Sequence, residues 1–247
     1  MKKTILAVGL STLLSANANA DALGIYLGGQ VWDADVTGQL GETGSIEKFN
    51  FSGNQLGNAH VALEHPIPII PNAKVSWVDL GTDGGTTLSQ EFEFADITFP
   101  VGTEVTTNLD VSYVDFTLYY EVFSNDLFAF DFGLSGRNIS GDVNVASASD
   151  SADLAFSTVI PMVYAKTVIG LPLTGFNIFA EGNLISLDGN SMHDYQVGVG
   201  YELLDNWVVD LDLQIGYRSL DMQLSDVDNL YADLVYDGVF AGAVIHF

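Results

Sequence analysis

The chain has no cysteine in 247 residues. That excludes disulfides, thiolate metal sites and a cysteine nucleophile. Cations are nearly absent too, with seven Lys and Arg against 32 Asp and Glu. Two of the seven, Lys2 and Lys3, fall in a leader. The remainder (Lys48, Lys74, Arg137, Lys166, Arg218) leaves five cations against 32 acids, a formal charge of −27. No basic stripe exists to neutralise phosphate, so nucleic acid is excluded as a partner. Beyond the leader no run of eighteen apolar residues occurs, which excludes a helical membrane protein. Disorder is excluded by what is present, since the chain is 48% hydrophobic and holds 15 Phe, 10 Tyr and 3 Trp. The acids therefore decorate a folded object.

Residues 1–20 read as a secretory signal peptide, and residues 21–247 as one β domain. Lys2 and Lys3 form the positive region, Thr4 to Leu14 the apolar core, and Ala18-Asn19-Ala20 an A-x-A site with cleavage before Asp21. The apolar core is too short to span a bilayer.

The mature chain then repeats one pattern, apolar residues at every second position. The last ten residues show it well. Val239, Ala241, Ala243, Ile245 and Phe247 share one face, and Gly238, Gly242 and His246 lie on the other. A closing strand that ends on an aromatic resembles the C-terminal assembly signal of bacterial outer-membrane proteins, which implies the barrel-assembly machinery as a partner. Nine further segments alternate in the same way, near 23–31, 58–64, 73–77, 113–122, 128–137, 158–169, 178–184, 195–202 and 209–218. Connections after the odd-numbered segments are mostly long and acidic, including Gly81 to Thr107, Asn138 to Ser157 and Asp221 to Asn229. Within them hairpins are expected around Phe92 to Val101 and between Asn138 and Ser157. Those after even-numbered segments are short, and Pro66, Pro68 and Pro71 make the first of them a turn. Ten strands with this asymmetry predict an all-β, ten-stranded antiparallel transmembrane up-and-down barrel in the bacterial outer membrane, with both termini on the short-turn side.

The placement of charge separates this fold from a soluble barrel. Lys74, Arg137 and Arg218 fall on the polar face of their segments, and Lys166 can be placed there. A cation facing lipid at mid-depth would cost roughly 2–4 kcal/mol. The polar face of the third to ninth segments carries Lys74, Asp115, Glu121, Asp131, Arg137, Glu181, Glu202, Asp210, Asp212 and Arg218. Barrels of about eight strands are filled by side chains, and ten give little more room. These ten residues are expected to form an ionic network in a narrow lumen; the alternative is a cation-favouring pore. His60 and His246 read as lumen residues and His65 as a turn residue. Trp32, Trp77, Trp207, Tyr195, Tyr201 and Tyr217 are expected in an interfacial aromatic girdle.

Two sharper ideas concern the rim. Ten-stranded outer-membrane proteases use paired acids and an Asp–His couple, for which the nearest material is Asp33, Asp35, His193 and Asp194. Asp83, Asp226, Asp228 and Asp233 could hold divalent cations against lipid phosphates, although none matches a calcium-loop motif. No cofactor motif and no catalytic constellation is recognisable.

Several stretches resemble a family of small proteobacterial outer-membrane β-barrel proteins associated with genomes encoding the GlyGly-CTERM sorting system. They are Gly24-Ile25-Tyr26-Leu27-Gly28-Gly29-Gln30-Val31-Trp32, Glu64-His65-Pro66-Ile67-Pro68, Leu118 and Tyr120 with Glu121, Glu181-Gly182-Asn183, and the terminal strand. The resemblance runs through the mature chain and implies barrel and location only. The expected role is structural or surface interaction, with lipid, lipopolysaccharide and divalent cations as partners. A narrow channel is the alternative, and a rim hydrolase a third reading.

Overall fold

The computed structural model describes residues 23–247 except 43, 126, 188, 207 and 208. Ala18, Ala20 and Asp21 of the expected cleavage site, and Trp207, lie outside the described residues. Fourteen strands occur among those described. They are β1 (Gly24–Glu42), β2 (Ser45–Phe51), β3 (Asn54–Glu64), β4 (Asn72–Asp79), β5 (Thr82–Thr87), β6 (Phe92–Phe94), β7 (Ile97–Phe99), β8 (Glu104–Asn125), β9 (Phe128–Ala146), β10 (Ser151–Leu171), β11 (Phe176–Leu187), β12 (Asn190–Leu204), β13 (Asp210–Val227) and β14 (Leu230–His246).

Ten of these close a ring. Each of β8 to β13 pairs antiparallel with its successor, β4 joins β8 to β3, and β3 pairs β1. The ring shuts where β1 meets β14, from Tyr26 opposite His246 to Gly41 opposite Tyr231. Each ring strand thereby has a partner on both sides along the storey nearer the termini, as hydrocarbon demands of any sheet that crosses it. Close backbone approach at the seam needs glycine: a Cβ on Gly238 would lie 1.9 Å from the Asp33 carbonyl oxygen.

The ten expected segments are all found, but the strands run well past most of them. β8 has 22 residues and β10 has 21, about twice the length that crosses a bilayer. Along β8 the in–out alternation holds from Glu104 to Tyr120 while its polarity inverts. Near the terminal end Phe116, Leu118, Tyr120 and Val122 face outward, with Asp115, Thr117 and Tyr119 inside. Beyond Tyr113 the buried residues are Val111, Leu109 and Val105, and the exposed ones Asp110, Asn108 and Glu104. β14 does the same: Val239 faces out, whereas Tyr236, Leu234, Ala232 and Leu230 are buried and Asp233 is exposed.

The molecule therefore has two storeys. The storey nearer the termini carries an outward apolar belt, including Val31, Val61, Trp77, Phe116, Leu134, Ile178, Val197, Ile215 and Val239. The other has an apolar core wrapped by polar side chains. That core is closed by parts of the chain expected to be loop. β2 pairs with β1 and β5, β5 pairs with β8, and the β6–β7 hairpin folds over the end. The hairpin expected near Phe92 to Val101 is present, with Ala95 and Asp96 both at positive φ in its turn. Phe92, Phe94 and Phe99 are buried with Phe49 of β2, Phe92 meeting Phe49 edge-on at 6.1 Å between centroids.

Four expectations need correction. Gly81 to Thr107, Asn138 to Ser157 and Asp221 to Asn229 are mostly strand. The turns that remain are short, such as 147–150 and 228–229. Their polar residues alternate with small apolar ones, so the period-two pattern continues with its faces exchanged. Trp32 is not in a girdle. It is 1% exposed, inside the barrel, because it lies on the inward face at the height where polarity inverts.

Candidate functional site

The middle of the lumen gathers charged side chains of both signs into one constellation. β8, β9, β12 and β13 deliver Asp115, Arg137, Asp194 and Arg218 to its middle, each at an inward position of an alternating strand. Arg137 Nε and Nη2 donate to the two oxygens of Asp115 at 2.8 and 2.7 Å, a bidentate fork. Its Nη2 also donates to Asp194 at 2.7 Å. Arg218 donates to both Asp194 oxygens, at 3.0 and 2.8 Å, and to the Tyr113 hydroxyl at 2.6 Å. Tyr113 in turn donates to Asp194 at 2.6 Å. The two guanidinium groups lie over rings, Arg137 3.6 Å from the Tyr113 centroid and Arg218 4.8 Å from that of Trp32.

Two cations and two anions thus cancel across the lumen. Burial makes such a layer costly to disturb, since losing one partner strands a charge in low dielectric. Arg137 is fully buried.

Toward the terminal end a second layer follows. Lys74 pairs with Glu181, and Gln196 donates to Glu181 at 3.4 Å. Thr117, Ser135 and Asn183 are linked by bonds of 2.7 and 2.6 Å. Between the layers is a cavity of about 40 Å³. Its lining atoms Gln30 Oε1, Asn58 Oδ1, Gln196 Oε1 and Arg218 Nη1 have no protein partner, which suits one bound water.

Beyond Lys74 the lumen widens into a vestibule of about 300 Å³, reached from the terminal end. Tyr26, His60, Glu64, Lys166, Asp212 and His246 are among its lining residues. Tyr119 donates to Glu64 at 2.7 Å, and His246 stacks on Tyr26 with centroids 4.2 Å apart. His246 Nδ1 lies 3.3 Å from Asp210.

On the other side of the arginine layer the lumen is apolar. Met192, Leu220, Met222, Ile139, Val143 and Phe156 pack there beneath Leu80 and the β6–β7 hairpin. Tyr236 donates to the Leu80 carbonyl at 3.1 Å. Burial, and then nearby Asp79, hold the Tyr236 phenol well above its ordinary range, so it stays a donor.

Of the ten expected network residues, the structure joins Asp115, Arg137 and Arg218 in one layer and Lys74 with Glu181 in the next. Asp131 is buried and sits opposite Lys166 in the β9–β10 register. Asp210 and Asp212 line the vestibule, Asp212 accepting from Asn177 at 2.7 Å. Glu121 and Glu202 are exposed near the terminal ends of their strands and stand apart from the two layers. His60 and His246 are lumen residues, and His65 lies in the turn, where it accepts from the Ile67 amide at 3.2 Å. Asp194 also belongs to the layer, although the sequence sets it beside His193 at the rim. Period-two spacing from Tyr195 would have placed it inside.

That placement undoes the rim constellation. Asp194 faces in, and His193 is opposite Asp221 in the β12–β13 register. Asp33 and Asp35 are on the outer surface of β1, with β14 and β13 between them and β12. The acids suggested for cations are not gathered either. Asp228 accepts from the Ser157 amide at 3.0 Å, Asp233 from Gln39 at 3.3 Å, and Asp83 from Asn108 at 2.7 Å. Among the described residues one group of three carboxylates, Glu202, Asp205 and Asp210, has oxygens within 4.8 Å of one another, at the opposite end.

No protein-family model matches the chain, and no curated protein does. Among solved structures it is similar to the outer membrane protease OmpT from Escherichia coli (8% identity, 93% of this chain and 98% of that one, TM-score 0.47). It is also similar to the transport unit of the autotransporter AIDA-I from Escherichia coli (8%, 97% and 96%, TM-score 0.44). A third is Ail, the attachment invasion locus protein of Yersinia pestis (12%, 92% and 100%, TM-score 0.35). Identities of this size say nothing about a shared activity. The closed ring and the apolar belt with its cations turned inward are independent of them. Those features make the chain a transmembrane β-barrel of the bacterial outer membrane.

Proposed function

We propose that the protein is a closed surface barrel that carries a rigid acidic β-domain outside the cell, for contact with lipopolysaccharide, divalent cations or an outside partner. The terminal end faces the periplasm, as the side of short turns does in such barrels. The final strand, Val239 to Phe247, serves assembly. One observation carries the reading. The vestibule ends against the Lys74–Glu181 pair, then the arginine layer, then an apolar core capped by Phe92, Phe94 and Phe99. A hydrated ion has no continuous polar path through that sequence of barriers.

The channel reading draws support from the vestibule, whose charged walls would admit small solutes from the periplasmic side. It requires both inner layers and the core to part. Planar-bilayer recording separates the two. The purified barrel should stay silent across physiological voltages, and reproducible cation-selective steps would overturn the closed reading. A hydrolase reading has no assembled residues behind it.

The register supplies an argument for cations. Asp110 is directly opposite Asp142, and Asp35 opposite Asp237, and all four point away from the barrel interior. Like charges in facing positions repel. Divalent ions shared with lipid phosphates would relieve them.

A further inference from the structure

The wall is open between β10 and β11 on its outward side. The β10–β11 ladder runs from Leu171 opposite Phe176 to Val163 opposite Leu184, and stops. β11 continues to Leu187 paired only with β12, and β10 continues through Ser151 paired only with β9. Pro161 sits just past the last rung. It has no N–H, and within a sheet proline is confined to edges. From Met162 outward β10 is such an edge on its β11 side. Higher up the gap is closed again, where the Ser157 amide donates to Asp228 in the β13–β14 turn at 3.0 Å.

The window so framed is a groove of about 180 Å³. Its walls are Val159, Pro161, Ile185 and Leu187, and Leu224 and Val227 lie deeper. Among the described residues Thr158 and Asn190 are its polar lining, and Asn190 Oδ1 already accepts from the Ser225 amide at 2.7 Å. Val159 is 68% exposed and Leu187 58%. On β9 and β12 the belt ends near Leu134 and Tyr195; along β10 it climbs from Val163 past Pro161 to Val159, and Leu187 of β11 is exposed beside it. The groove is thus continuous with the lipid-facing surface at its outward margin. Open strand edges cannot face pure hydrocarbon, so peptide groups along this window need a partner that is polar at one end.

We infer that this groove holds one acyl chain of a lipopolysaccharide molecule. The methylenes lie along Val159, Pro161 and Leu187, and the ester or amide at the head of the chain meets the free peptide edge. The inference rests on the proposed reading that this end faces the outer leaflet.

The absence of native cysteine makes the test clean. Val159→Cys, Asn138→Cys and Ile215→Cys are each coupled to a benzophenone maleimide in outer-membrane vesicles and illuminated, and the adducts are identified by mass. Asn138 is the β9 partner of Val159 and exposed outside the groove; Ile215 lies in the belt. Lipopolysaccharide adducts should form at 159 several-fold more than at 138. They should be lost when Leu187→Trp fills the groove, while the heat-dependent gel shift of a folded barrel persists. Equal adducts at 159 and 138, an adduct unmoved by Leu187→Trp, or phospholipid alone at 159 would each overturn the assignment. If Ile215→Cys captures no lipid at all, the membrane reading fails first, and the groove with it.

Discussion

At the scale of single residues, the arginine layer is where one side chain matters most. Arg137 neutralises Asp115 and shares Asp194 with Arg218. Arg137→Met keeps much of the volume and removes the charge, leaving Asp115 buried without a cation. Breaking such a pair typically costs about 3–5 kcal/mol. The expected outcome is a lower urea midpoint for the purified barrel in detergent, followed by tryptophan emission, with Trp32 a reporter beside Arg218. Asp115→Asn combined with Arg137→Met should recover part of the loss, because the stranded carboxylate is then gone. A double variant as weak as Arg137→Met alone would contradict this account of the layer.

Among the elements, the β6–β7 hairpin and the outward halves of the strands stand or fall together. Phe92 is completely buried among Phe49, Phe94 and Phe99. Phe92→Ala should cost about 3–5 kcal/mol, as large-to-small changes in a packed core do. The cost belongs to the outer storey, so protease added to intact cells should clip that storey near residues 88–103. The membrane-embedded fragment should keep its heat-dependent gel shift. Simultaneous loss of both would mean the storeys are one cooperative unit. These elements also mark how far the sequence was legible. The ten wall segments could be read because Phe116-x-Leu118-x-Tyr120 and its counterparts alternate with polar residues. The outer halves could not, because stretches such as Thr106-Thr107-Asn108-Leu109-Asp110 mix polar residues on both faces. Short, sparse apolar positions there look like loop until the strand is known to continue. Trp32 was misplaced for the same reason, one residue beyond the point where inside and outside exchange chemistry. The lumen layer was legible in Asp115, Arg137 and Arg218 by phase, but pairing across the ring depends on strand stagger, which no single segment encodes.

For the molecule as a whole, a formal charge of −25 accompanies an outward belt of apolar side chains such as Phe116 and Val239. Facing pairs such as Asp110 with Asp142 repel more strongly when counter-ions are scarce. Millimolar magnesium should therefore raise the thermal midpoint of the reconstituted barrel, and a chelator should lower it. Asp110→Asn with Asp35→Asn should blunt the response. An equal response to sodium at matched ionic strength would point to general screening instead of bound divalent ions. The inversion of polarity along β8 and β14 has one more consequence. If the barrel rises, greasy side chains such as Phe116 and Val239 emerge into water; if it sinks, Asp110 and Asp233 are dragged into oil. Both displacements are uphill, so the protein carries its own waterline, drawn in the sequence between Asp110 and Phe116.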